Sequence, residues 1–348
     1  MNYAQLKRSL RAPSASLLTS LLAPTIALPS GAWADIASPR PERYSFKAAT
    51  VAPEGTPWAS LFNRFRREVR RASQGRLRAR IFLGGVKGDE RSIMRQVVAG
   101  RLQMGGLSTG AIASIVPDLD ILELPYAFAT AAQADQLLEE ARPLIRELLH
   151  ERGLELIMYS ENGYRSFGAN RCIRQPSDLR GMKMRSQENE VHLETYRALG
   201  ASPNPIAVGE VLSSLQTGHV TGFDNTPLFT QAVSWHQAVT HYSTTRHIYQ
   251  PALILANKAW FDELPPSMRS ILLEKAQALE ARGRQQVRAL EAPLIANFGE
   301  QGVEVCELSD AERARFRDAT RSVWTSRRAR ASEKGRQLLD MMQRLRGN

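Results

Sequence analysis

GYRSFGANRCIRQPSDLRGMKMRSQENEVHLETYRALGASPNPIAVGEVLSSLQTGHVTGFDN, residues 163–225, decides the architecture. Within it, Met182-Lys183-Met184-Arg185 alternates apolar and basic residues, the period of a half-buried strand. A turn supplied by Ser177, Asp178 and Gly181 precedes the alternation, and Val191, Thr195 and Leu199 follow it at helical spacing. Arg185 therefore falls at the carboxyl end of a strand just before a helix, the edge of an open α/β sheet where ligands bind. Arg165 and Asn225 stand at comparable places beside other apolar runs. Two arginines aimed at one crevice point to an anion, most simply a carboxylate held by bidentate, charge-assisted hydrogen bonds.

Outward from this stretch the chain keeps alternating strand and helix. Residues 44–51 read as a first strand, and Trp58, Leu61, Phe62, Phe65 and Val69 as the inner face of a helix. Leu77, Ala79 and Ile81 alternate with arginines in a second strand. A glycine-rich loop then leads to Asp89-Glu90, acids suited to a helix start, and to a helix burying Ile93, Met94, Val97 and Val98. Residues 103–107 form a third strand, ending in the polar loop Ser108-Thr109-Gly110. One helix carries Leu137, Leu138, Ala141, Leu144, Ile145 and Leu148, and 154–159 is the next strand. Downstream, 251–257 reads as a strand returning to the first half, and 266–296 as one long helix. Residues 303–305 are a short strand, and Ser309-x-x-Glu312 is a capping box. The charged tail beyond Arg327 reads as a fraying end. This pattern predicts an α/β protein with βα units on a mostly parallel sheet.

The segments GYRSFGANR, SDLRGMKMRSQ, LGASPNPIAVGEVLSSLQTGHVTGFDN and NKAWFDELP, in this order and spacing, resemble the DctP family. These are the substrate-binding subunits of tripartite ATP-independent periplasmic (TRAP) transporters. The resemblance runs from about Tyr44 to the C-terminal region, and LRGMKMR followed by LGASP and LQTG-V-G-DN is its most specific part. It implies a two-lobe periplasmic solute-binding fold with a hinged central cleft and a long bridging helix. The expected division is 35–162 plus 251–290 for lobe I and 163–250 plus 291–348 for lobe II.

The resemblance also implies roles. Arg185 matches the family's carboxylate-binding arginine, and Arg165 a second arginine aimed at the ligand or spent on a salt bridge between lobes. Asn225 matches a polar position that fixes ligand hydroxyl or carboxylate groups. Asp224 either receives an amine or holds an arginine. In the first half, Glu54, Ser108 and Thr109 are the candidate contacts. A hydroxyl at Ser108, where some relatives carry a charge, allows a substrate other than a polyhydroxy sugar acid. Trp58 and Phe223 either line an apolar wall or belong to the core.

The ends and the composition narrow the class. Lys7, Arg8 and Arg11, an apolar run over 15–28 and Ala32-Trp33-Ala34 follow the order of a secretory signal peptide, so 1–34 is expected to be removed. The roughly 310 residues left exceed what one core usually covers, which favours two domains. The chain carries 46 basic and 35 acidic residues, net +11, and the leader's three cations leave +8. The excess is spread along the chain without the aromatic interleaving of a nucleic-acid binder, so no nucleic-acid partner is expected. Cys172 and Cys306 lack metal-ligand spacing. They read as buried small apolar residues, although an oxidising compartment would let them pair.

No Ser-His-Asp order, HExxH, Walker or dinucleotide motif is present, so neither catalysis nor a cofactor or metal is expected. The reading is a monomeric, exported protein that captures a small carboxylate-containing organic acid for the small and large membrane subunits of a TRAP permease. Its rival is a periplasmic sensor module presenting such an acid to a receptor. Adjacent permease genes favour the first and a lone kinase gene the second.

Overall fold

The computed structural model describes residues 42–346, so the signal-peptide expectation lies outside the described residues. The first half runs β1 (Tyr44–Thr50), α1 (Pro57–Ala72), β2 (Leu77–Phe82), α2 (Glu90–Val98), β3 (Met104–Ser108), α3 (Thr109–Ile112), α4 (Ala131–Glu140) and α5 (Arg142–His150). A long strand, β4 (Leu154–Ala169), leads to β5 (Lys183–Ser186), α6 (Glu190–Ala198), β6 (Ser202–Pro205), α7 (Val211–Gln216), β7 (Gly222–Asn225) and α8 (Pro227–Ala232). A second long strand, β8 (His241–Asn257), returns to α9 (Lys258–Glu263), α10 (Pro266–Glu300) and β9 (Glu304–Cys306). The chain closes with α11 (Asp310–Ala319), α12 (Arg321–Arg330) and α13 (Glu333–Arg346).

All strands join one mixed sheet, in the order β2-β1-β3-β8-β4-β7-β5-β6, with β9 on β8. Its axis is the antiparallel β4·β8 ladder, which runs from Leu154↔Asn257 to Ala169↔His241. The parallel fan β2-β1-β3 attaches at one end, through Ala252–Ala256 of β8. The parallel fan β7-β5-β6 attaches at the other, through Ser166–Ala169 of β4. Each lobe is therefore a parallel βα unit, as the alternation predicts, but the lobes are joined by antiparallel strands. Between them the ladder slips at Glu161/Gly163 and Arg165/Phe167, with Gly163 at φ 99° and Arg246 at φ 48°. Such bulges bend and twist a strand pair locally.

Several sequence expectations need correction. The strand over 251–257 is the last part of a 17-residue strand. Pro251 sits inside it, pairing with Glu161 beside a slip of the ladder, where a missing N–H is tolerated. The single helix expected to carry Leu137 to Leu148 is two, because the chain turns at Ala141 and restarts with Pro143 in the first turn of α5. Val98 is not buried; it stays 38% exposed. Through Arg346 the tail is helical, not frayed. Leu338, Leu339 and Met342 of α13 pack into the cluster that holds Leu137 and Ile145, and Arg327 is buried against Asp118 and Asp120. Phe316 packs in the cluster around Phe167, and α13 in the cluster around Leu137. Cys172 and Cys306 are bonded to each other and are not free thiols.

The long helix is as expected. At 35 residues α10 extends about 50 Å. Met268, Leu272 and Leu279 pack with first-half residues, Val287 with the second-half cluster around Trp235, and Phe298 against Tyr242. Glu280 pairs with Arg142 at 2.7 Å, Arg288 with both Asp135 and Glu161, and Glu291 with Arg246 at 2.7 Å. The changeover between Arg288 and Glu291 is tied to the level of the slipped ladder, through Glu161 on β4 and Arg246 on β8.

Candidate functional site

The two fans leave a cleft over the middle of the β4·β8 ladder. First-half walls are Val51, Trp58, Phe62, Glu90 and Ser108; second-half walls are Arg185, Gln187, Val208, Asn225 and Phe229. Ser160, Asn162 and Arg165 of β4 and Gln250 and Ala252 of β8 form the floor. The Trp58 indole donates to the Glu161 carbonyl at 2.7 Å and approaches the Phe229 ring, 6.0 Å between centroids, so the two walls meet through aromatic faces. Gly106 is required behind that wall, since a Cβ there would lie 2.5 Å from the Phe62 ring.

Both predicted arginines reach the cleft, but in different states. Arg165 is fully engaged. Its Nε donates to Asp224 Oδ2 at 2.6 Å, one Nη to the Asp224 carbonyl at 2.6 Å, and the other to Gln250 Oε1 at 2.9 Å and Asn225 Oδ1 at 3.4 Å. Asp224 also accepts from the Tyr196 hydroxyl at 2.7 Å. Burial acts to raise the Asp224 pKa, but Arg165 and His247 overcome it and hold the carboxyl well below its usual range. Of the two roles open to Asp224, the geometry is that of an arginine holder.

Arg185, at the end of β5, donates only from Nε, to the Ile206 carbonyl at 3.0 Å, among the described residues. Its guanidinium lies over the Trp235 ring at 5.1 Å, a cation–π contact that holds the head without neutralising it. No carboxylate of the described residues pairs with it, and it is 3% exposed. Burial, with Arg165 nearby, lowers its pKa to about 10. A desolvated cation whose terminal nitrogens lack partners favours an incoming anion.

The other predicted residues divide. Asn225 lines the cleft; its Oδ1 accepts from the Thr226 N–H and from Arg165, which leaves its amide nitrogen for a ligand. Ser108 lines the cleft, but its hydroxyl donates to Glu90 at 3.0 Å and accepts from Gln187 Nε2 at 2.8 Å. Thr109 faces away from the cleft and donates to Glu123 Oε1 at 2.7 Å. Glu54 is exposed at the loop tip and lines no part of the cleft. Trp58 is a wall, whereas Phe223 is core, edge-on to Trp235.

Sequence reasoning missed Glu90, Gln187 and Gln250. Asp89-Glu90 does start a helix, with Asp89 as N-cap, and that local role hid the second one. The two glutamines link the halves: Gln250 Nε2 donates to Gln187 Oε1 at 2.7 Å and to Glu123 Oε2 at 2.8 Å. Glu123 shares a 2.5 Å hydrogen bond with His192. Burial raises its pKa, but the bonds from His192, Thr109 and Gln250 bring it below the ordinary value. A neutral amide in a sequence carries no signal of such a position.

Comparison with known proteins bears on this geometry. The family described as bacterial extracellular solute-binding protein, family 7 (DctP) matches residues 48–330. A solute-binding protein of Verminephrobacter eiseniae is 32% identical over 72% of this chain and 75% of its own length. The 2,3-diketo-L-gulonate-binding periplasmic protein YiaO of Escherichia coli is 27% identical over 71% and 75%. Among solved structures, a TRAP periplasmic solute-binding protein of Roseobacter denitrificans with bound β-D-glucuronate superimposes with TM-score 0.82 at 27% identity, covering 86% of this chain and 99% of that one. One from Polaromonas bound to D-erythronate gives 0.81 at 26% identity, covering 86% and 98%.

Proposed function

The chain belongs to the DctP family of bacterial extracellular solute-binding proteins, and on that premise we propose that it captures a small acid sugar in the periplasm and delivers it to a TRAP-type permease. The observation that carries this is Arg185, a buried guanidinium on the cleft wall with no carboxylate partner among the described residues. The ligand's carboxylate supplies that partner. Asn225 and Gln187 meet its hydroxyls, and Trp58 with Phe229 covers an apolar face. Relatives that bind glucuronate, galactonate and erythronate support the ligand class.

The lobe boundaries follow the ladder: one lobe on each side of the slips at 161–167, with the C-terminal α13 counted in the first. Closure bends β4, β8 and α10 at this one level and removes the ligand from water, where each retained ionic hydrogen bond contributes about 1.5–3 kcal/mol. A few such bonds reach about −8 kcal/mol, a micromolar Kd. The leader 1–34 directs export and is then removed. The closed form, a monomer, docks on the small and large permease subunits.

The test is calorimetry with D-glucuronate, D-galacturonate, galactonate and D-erythronate, with small-angle scattering on any pair that binds. At least one acid is expected to bind in the micromolar range and to reduce the radius of gyration. Failure of all four overturns the acid-sugar reading.

A further inference from the structure

Among the described residues, Glu90 is the other charged side chain of the cleft that forms no ion pair. It opens α2 on the first-half wall and lines the same space as Arg185 and Gln187. Its Oε1 accepts the Ser108 N–H at 2.7 Å and its Oε2 the Ser108 hydroxyl at 3.0 Å. Those bonds fix the carboxyl plane and leave each oxygen one further site. Neighbouring Arg91 is turned to Glu188, at 3.5 Å to its carboxylate and 2.5 Å to its carbonyl. Asp89 is spent as the helix cap, accepting the Ser92 N–H at 2.6 Å. From the floor and the opposite wall, Glu90 faces Arg165, already matched by Asp224; Glu123, matched by its own hydrogen bonds; and Arg185, whose charge it helps to offset.

An anion seated at Arg185 therefore brings a second negative charge beside Glu90. Two carboxylates in one water-poor site do not both stay ionised. A sugar acid keeps its proton poorly, with an ordinary pKa near 3.5, so the proton resides on the glutamate. We propose that Glu90 is a specificity-determining residue that binds the ligand as the neutral acid, donating its O–H to a ligand oxygen, so that each captured anion enters with one proton taken from solvent. Before any ligand arrives, burial already pushes the Glu90 carboxyl up and Glu123 adds to it, with the two Ser108 donors and Arg165 opposing. Ser108 is then a positioning residue: its hydroxyl serves Glu90 and does not itself meet the ligand.

The inference rests on the acid-sugar reading above. It is tested by calorimetry with D-glucuronate, which stays ionised from pH 5.5 to 8.5, in buffers of different ionisation enthalpy. Wild type is expected to take up a fraction of a proton that approaches one. Its affinity should fall with rising pH, at a limit of about tenfold per pH unit. Glu90→Gln keeps the shape of the neutral acid but cannot exchange a proton, so its proton uptake vanishes and its affinity is flat with pH. Ser108→Ala removes a donor that favours the carboxylate, and moves the uptake window to higher pH. Binding without proton uptake in wild type, or uptake that survives in Glu90→Gln and so belongs to another group, overturns Glu90's role and leaves the acid-sugar reading standing. Failure of wild type to bind any of the four acids overturns both.

Discussion

Arg165 and Asp224 close on each other, Nε to Oδ2 at 2.6 Å and Nη to the Asp224 carbonyl at 2.6 Å, with both side chains buried. One residue thus answers the guanidinium with side chain and backbone together. The consequence lies one strand away: Arg185 borders the same cleft with no such partner among the described residues. A matched cation holds the floor in place, and an unmatched one waits for a ligand.

Asp224→Asn is expected to leave Arg165 charged, buried and unpaired, at a cost on the order of 3–5 kcal/mol. Asp224 titrates below its ordinary value, so its contribution is present above the unfolded pKa of about 3.9 and is lost as pH falls through the lower folded pKa. Urea melts at pH 7 and pH 3 check both points. The gap between wild type and variant should narrow toward acid, and a gap that is small at pH 7 contradicts the assignment.

Asp120 behaves in the opposite sense. Burial raises its pKa to about 6, although Arg327 acts against the rise. Its favourable contribution is therefore complete below the unfolded pKa near 3.9 and is lost as pH rises through about 6. Relative to wild type, Asp120→Asn should gain roughly 2–3 kcal/mol between pH 4 and pH 8. Because the comparison is with wild type at each pH, other titrating groups cancel. Paired denaturation curves at the two pH values are the measurement.

The Cys172–Cys306 bond joins positions 134 residues apart. In the chain-entropy account, closing so long a loop restricts the unfolded state by about 5 kcal/mol, an upper figure for a native bridge. The pair also ties the loop after β4 to β9, which is added to the sheet only through β8. Cys172→Ser with Cys306→Ser should lower the urea midpoint, while reductant that shifts wild type should leave the double variant unmoved.

Glu54→Ala should leave affinity within about 0.5 kcal/mol of wild type, since its side chain is exposed and outside the cleft lining. The same calorimetry that tests Glu90 serves here, and a large loss would place the loop tip over the bound ligand.

What the chain discloses in advance depends on the kind of signal. The apolar–basic alternation of Met182–Arg185 makes the strand and the position of Arg185 near its end readable locally, although Arg185 is buried along with Met184. The Ser309/Glu312 capping box is likewise local, with both reciprocal bonds formed. The long central strands are not readable in this way. Gly163 and Pro251 resemble strand terminators, yet both lie where the ladder slips, and there a missing donor or a positive φ is accommodated. The tail misleads by its arginines, although Leu338, Leu339 and Met342 keep an apolar helical spacing and are buried. Whether Arg165 or Arg185 already had an acid beside it is a tertiary fact. Nothing in GFDN says that Asp224 turns inward to Arg165 and away from the ligand space.

The Arg185 series tests the remaining half of that contrast. Arg185→Lys keeps a charge but loses the planar two-donor fork and the stacked contact on Trp235. Arg185→Ala loses both and leaves the ligand's carboxylate short of partners in a desolvated cleft. Affinity for whichever acid binds should fall in the order Arg, Lys, Ala, with the alanine loss on the order of 2–5 kcal/mol. Stability should move the other way. The guanidinium is a buried cation that forms no ion pair among the described residues, so Arg185→Ala relieves a desolvation cost and its ligand-free melting temperature should not drop as that of a core truncation does. A primary amide of the same acid should bind wild type poorly and the alanine variant hardly less well than the acid does. If the alanine variant binds the acid as tightly as wild type, or melts far lower in its absence, then Arg185 is a structural residue and the anion sits elsewhere.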